Sequence, residues 1–189
     1  MMRNVLSYQL SRDMGNYASR GKYCEVIINN EYKGVFVLQE KIKRDKDRVN
    51  VEKLKPEDIT EPNITGGYIF SIDKIDGDEI YWNSKVQNST IFQFVYPKKR
   101  KDLMPDQQKY LQDYVDAFEQ VLNGSNYMDP TSGFRKYADE ISLMDYFISN
   151  EIAKNVDGFR ISSYFHKKRG GKIIAGPIWD FDIAWGNAN

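Results

Sequence analysis

The order of periodicities along the chain most restricts its fold. After one opening helix, strand-like runs recur through the first hundred residues, helical spacing through the next fifty, and a short strand pair follows. The runs KYCEVIIN and GVFVLQEKI flank NNEYKG, where Asn29-Asn30 and Gly34 supply a permissive backbone, so they form a β-hairpin. In the second run Val35, Val37, Gln39 and Lys41 share one face; Phe36, Leu38 and Glu40 share the other. TGGYIFSIDK and STIFQFVYPK read as a third and a fourth strand. A helix precedes them all, with apolar positions Met2, Val5, Leu6, Leu10 and Met14, and Gly15 stops it.

KDLMPDQQKYLQDYVDAFEQVLNG carries a stripe through Tyr110, Leu111, Tyr114, Val115, Phe118, Val121 and Leu122, ended by Gly124. GFRKYADEISLMDYFISNEIAKNVD is a second helical region, with a stripe through Ile141, Leu143, Met144, Phe147, Ile148 and Ile152. ISSYFHKK, a Gly-Gly turn and KIIAGPIWDFD then predict another hairpin. Helix, strands, helices, hairpin is an α+β order, not alternating βαβ. With 189 residues, it suits one domain or two small lobes around a cleft, a strand-rich part over 1–100 and a helix-rich part over 101–189.

Charge excludes some partners. Lys plus Arg and Asp plus Glu are 27 each, so no net charge draws the chain to nucleic acid or an anionic membrane. No apolar run reaches 18 residues, so no transmembrane segment is expected. The single Cys24, in a strand, reads as a small buried hydrophobe. The single His166 excludes a multi-histidine metal site, and any Ser-His-Asp mechanism would have to use it.

Three positions carry chemistry. Asp157, in AKNVDGFRISSY, lies on a Gly-containing loop between a helix and a strand, where catalytic residues concentrate; otherwise it orders its own turn. Asp180 and Asp182, in WDFD, would point to one face if the segment is a strand. Two converging carboxylates repel unless a proton or a cation lies between them, and magnesium or manganese prefers such oxygens. Glu40 and Lys41, in LQEKIKR, close the second strand, where a lysine in a cleft can bind phosphate as a point charge. The charged run EKIKRDKDRVNVEKL otherwise reads as a solvated connection. No P-loop and no G-x-G-x-x-G occurs. A strand lysine, a loop acid and a metal-type acid 23 positions later are the parts phosphoryl transfer requires.

MMRNVLSYQLSRDMG, YCEVIINNEYKGVFVLQEKIKRDKDRVNV, GGYIFSIDK, NEIAKNVDGFRISSYFHKK and GPIWDFDIAWGNAN together resemble the spore-coat protein H (CotH-like) kinases, most of all the branch common in gut Bacteroidetes. The resemblance covers nearly the whole chain. It implies an atypical protein-kinase-like fold with two lobes, binding ATP and Mg2+ or Mn2+, and transfer to serine of a surface or coat protein. It implies that Asp157 orients the acceptor hydroxyl, that Asp180 holds metal with Asp182 in support, and that Glu40 and Lys41 face the nucleotide. Many members carry asparagine where this chain has Ser162, a poorer metal ligand. The resemblance further implies that the chain is a fragment of a longer protein, and a location outside the cytoplasm, at a cell surface or spore coat. Two other readings are an inactive surface or envelope binding module on the same fold, and a D-x-D glycosyltransferase; the latter leaves Lys41 and Asp157 unexplained.

Overall fold

The computed structural model describes residues 2–188. Helix α1 spans Met2–Asp13; strands β1 (Gly21–Ile28) and β2 (Glu31–Gln39) form a separate two-stranded antiparallel sheet. Their turn is Asn29-Asn30, with φ of 52° and 65°, the left-handed pair a tight hairpin demands. Gly34 is not in the turn. It lies in β2, with φ 100°, beside the register shift at Val26 and Ile27. Cys24 is half-buried rather than enclosed, because the hairpin exposes most of its side chains.

A five-stranded antiparallel sheet runs in the order β4-β5-β3-β6-β7, from Tyr81–Asn83, Ile91–Tyr96, Tyr68–Ile72, Ser163–Lys167 and Ile173–Ala175. The anticipated fourth strand is thus the fifth, and short β4 precedes it. The sheet draws strands from the middle and the C-terminal part of the sequence, and β3 is its buried centre. Tyr68, Ile69, Phe70 and Ser71 are all enclosed, as fits a strand covered on both faces. The terminal pair is the expected hairpin β6–β7.

Helix α2 (Pro105–Leu122) starts with proline at its first position, and Gln107 reaches back to accept the Met104 N–H at 3.0 Å. Leu111 and Val115 from its stripe close over Phe70, Trp82, Phe92 and Phe94. Truncating Phe70 to alanine there would cost ~3–5 kcal/mol.

Helices α1 and α3 (Glu140–Ala153) differ from what their apolar stripes suggest. Met2 and Leu6 of α1 are exposed, and so are Ile141, Met144, Phe147, Ile148 and Ile152 of α3. The buried faces carry Ser7, Tyr8 and Ser11 on α1, and Ser142, Tyr146, Ser149, Asn150 and Ala153 on α3. Small and hydrogen-bonding residues win because several of them satisfy backbone groups of neighbouring segments. The Ser142 hydroxyl donates to the Asp139 carbonyl and accepts the Ala175 N–H.

Candidate functional site

Helix α1 positions the WDFD segment. Beyond β7 the chain has no regular structure, so strand alternation does not place Asp180 and Asp182. The Tyr8 hydroxyl accepts the Asp180 N–H at 3.1 Å, and the Asn4 amide oxygen accepts the Phe181 N–H at 2.6 Å. The Trp185 indole donates to the Ser7 hydroxyl at 2.9 Å. The Tyr8 ring stacks on Trp179 and meets Phe181 edge-on. Pinned on both sides, Asp180 takes a left-handed φ of 59°, and its side chain leaves the aromatic packing while Phe181 is buried in it.

The loop after α3 is held as tightly. Lys154 ends the helix at φ 50°, and Asn155 donates to Asn150 at 3.0 Å. A Cβ on Gly158 would fall 1.9 Å from the Asn150 amide oxygen, so only glycine fits. The Gly158 carbonyl accepts from the Tyr146 hydroxyl at 2.5 Å and from the Ser163 hydroxyl at 3.1 Å. The Asp157 carbonyl accepts the N–H groups of Arg160 and Ile161, and its carboxylate pairs with Arg160 at 2.5 Å.

Ser162, five positions after Asp157, reaches Asp180. Its φ is 52°, and its hydroxyl donates to the Asp180 carboxylate at 3.4 Å. Burial raises the pKa of Asp180 above the usual carboxylate value; the charges of Asp182, Asp73 and Asp157 add to the rise, and the Ser162 hydrogen bond opposes it. Asp73 was not singled out in the sequence. The β3–β6 register pairs Ile72 with Ser163, so Asp73 follows on opposite Ser162. The only local signal was an acid at the end of FSIDK.

Glu40 and Lys41 lie just beyond β2, which ends at Gln39. Glu40 accepts from the Arg20 guanidinium at 2.7 and 3.0 Å and faces Arg48 at 3.5 Å. The hydrogen bond from Arg20 lowers its pKa. It is committed to arginines, not to Lys41. Lys41 is exposed and has no ion pair among the described residues. It lines a cavity of about 580 Å³ with Arg20, Lys22, Lys43 and Arg48. Gln39 lines this cavity too, close to the Tyr8 hydroxyl, the group that accepts the Asp180 N–H.

His166 is apart from this chemistry. Its Nδ1 lies 3.0 Å from the Gly176 carbonyl, and burial lowers its pKa, which favours the neutral ring.

Among the described residues no three or more of His, Cys, Asp and Glu are gathered closely enough to hold a metal ion alone. The donors beside Asp180 are all hard oxygens: carboxylates and the Ser162 hydroxyl. That chemistry fits magnesium or manganese, which commonly takes one or two carboxylates and completes its shell from water and phosphate. A cation there would also relieve the repulsion on Asp180.

A family model described as CotH kinase protein matches residues 1–189. No curated protein and no solved structure matches the chain. Among the described residues no helix is long and apolar enough to cross a membrane.

Proposed function

The chain belongs to the CotH kinase family, and on that premise we propose that it is an ATP- and divalent-metal-dependent phosphotransferase acting on a serine hydroxyl. One observation carries this reading: Ser162, five positions after Asp157, hydrogen-bonds the Asp180 carboxylate, and Asp157 is among the charges that raise the pKa of Asp180.

Asp157 accepts the acceptor hydroxyl's hydrogen bond and orients it. Its pair with Arg160 is no obstacle, because that guanidinium is 72% exposed and such surface pairs are weak. Asp180, supported by Asp182 and the Ser162 hydroxyl, holds the cation. When bound, the cation neutralises charge on the phosphates. Lys41 presents its ammonium to the phosphates, with Lys22 and Lys43 beside it. Glu40 fixes Arg20 and Arg48 in the same cavity and so positions its cationic wall. The two-lobed arrangement belongs to this proposal, with the β1–β2 hairpin on one side of the cleft and the five-stranded sheet on the other. So does a protein acceptor at a cell surface or in a spore coat.

Transfer from radiolabelled ATP with manganese tests it on wild type, Asp157→Ala and Asp180→Ala. Labelling lost in both variants supports the roles; equal labelling in all three removes both aspartates from the mechanism. Ser162 favours a second reading, a binding module with little or no activity on the same fold. Stabilisation by ATP and metal without transfer would select that reading.

A further inference from the structure

A second cationic cleft lies at the other end of β3. There β5 runs into Tyr96-Pro97 and the run Lys98-Lys99-Arg100-Lys101, and the segment around Lys53 and Lys55 forms the opposite wall. The cleft measures about 620 Å³. Tyr96 pairs with Ile69, near the start of β3, whereas Asp73 and Ser162 adjoin its end. Four residues of strand separate them, roughly 13 Å.

The charges here are free. Lys53, Lys98, Lys99, Arg100 and Lys101 are all exposed and have no ion pair among the described residues. Lys55 meets only Glu57, at 3.6 Å, with both side chains mostly in solvent. Asp102 is the other acid on the wall. Arg44 adds a further cation, its guanidinium 5.5 Å from the centre of the Tyr96 ring. Four lysines, Lys53, Lys55, Lys98 and Lys99, line the cleft against two acids, Glu57 and Asp102, a local excess that a chain of zero net charge does not require. Like charges held together repel, so the arrangement favours a multiply charged anion.

We propose that this cleft binds a phosphorylated peptide segment. Ammonium groups on flexible stems suit phosphate dianions as point charges, and a concave wall with an aromatic ring suits a peptide chain. A membrane surface fits less well. Leu54 and Leu103, aliphatic residues beside the lysines, are buried, so neither is free to insert into a bilayer. About four extended residues span the stretch of β3 between the cleft and the end where Asp73 and Ser162 lie. The cleft is thereby suited to hold a segment already phosphorylated while the next hydroxyl is presented. That last step rests on the phosphotransferase reading; the binding itself does not.

Fluorescence anisotropy of a labelled peptide carrying two phosphoserines tests the binding, in the absence of ATP and metal. Wild type should bind it about tenfold or more tightly than the unphosphorylated peptide, and added salt should weaken it. The double variant Lys98→Ala, Lys99→Ala should lose about tenfold in affinity, since each lysine contributes charge and none supports the core. Its thermal midpoint should match wild type. No preference for the phosphopeptide, or affinity unchanged in the double variant, overturns the proposal. Stronger binding to phosphatidylserine vesicles or to a single-stranded oligonucleotide than to the phosphopeptide overturns it too. Because no transfer is measured, failure of binding and failure of the phosphotransferase reading remain separate results.

Discussion

The Tyr8 hydroxyl accepts the backbone N–H of Asp180, and through that bond helix α1 sets the conformation of an acid 172 positions away. Tyr8→Phe keeps the ring and its stacking on Trp179 but leaves the Asp180 N–H without its protein acceptor. The expected cost is about 1–2 kcal/mol of stability. If this bond positions Asp180, manganese affinity should fall as well. Urea unfolding and manganese titration by electron paramagnetic resonance measure the two. An affinity equal to wild type would make Tyr8 a packing residue only.

Half of this arrangement was legible in the sequence. The hairpins and α2 followed from turn residues and apolar spacing. The faces of α1 and α3 did not, because their inward sides are built from Ser7, Tyr8, Ser142 and Asn150, whose partners lie far along the chain. Hydrophobic periodicity cannot find a face that is buried for its hydrogen bonds. Asp73 was hidden for the same reason: only the β3–β6 register puts it beside Ser162. WDFD is not a strand because Asp180 is held at positive φ by contacts with α1, which local pattern does not encode.

Metal affinity should depend on pH through Asp180. Burial and the charges of Asp182, Asp73 and Asp157 raise its pKa, so protons compete with the cation sooner than at an ordinary carboxylate. Manganese binding should therefore weaken as pH falls from neutral toward the acid range. Asp73→Asn removes one of the raising charges and should move that weakening to lower pH. Asp180→Asn should reduce affinity by about tenfold or more at neutral pH. A pH profile identical in wild type and Asp73→Asn would separate Asp73 from the site.

Lys167 gives the fold an unusual alkaline response. It is 2% exposed, and burial lowers its pKa to about 8, with the Glu52 charge opposing. Its ammonium donates to the carbonyls of Thr65 and Gly171 at 2.6 Å each and lies 4.5 Å from the centre of the Tyr114 ring. The folded state releases this proton first, while the unfolded lysine keeps it until about pH 10.4. Between those values the unfolded chain binds more protons, so this group makes stability rise with pH from about 8. Above about pH 10 the sign reverses. Unfolded tyrosines then ionise, whereas Tyr8, Tyr114, Tyr146 and Tyr164 are held at about 12 by burial. Between about pH 8 and about pH 9, below the tyrosine range, urea midpoints should rise in wild type and stay flat in Lys167→Met. That variant should also be about 1–3 kcal/mol less stable, with two carbonyls deprived of a donor.

Ser162→Asn tests whether the hydroxyl limits the site. The position has φ 52°, a conformation asparagine adopts more readily than most residues. The substitution therefore suits the backbone, and the cost comes only from fitting a larger side chain at a buried position, about 1 kcal/mol. An amide oxygen is the better ligand for a hard cation and can reach the space that the hydroxyl shares with Asp180. Manganese affinity should rise severalfold, and phosphoryl transfer should rise with it if Asp157 and Asp180 act as proposed. The outcomes divide cleanly when affinity and transfer are measured on the same preparation. A gain in affinity with no transfer would favour the binding module over the enzyme. A loss of affinity at unchanged thermal stability would show that the serine hydroxyl itself, through its bond to Asp180, is what the cation site uses.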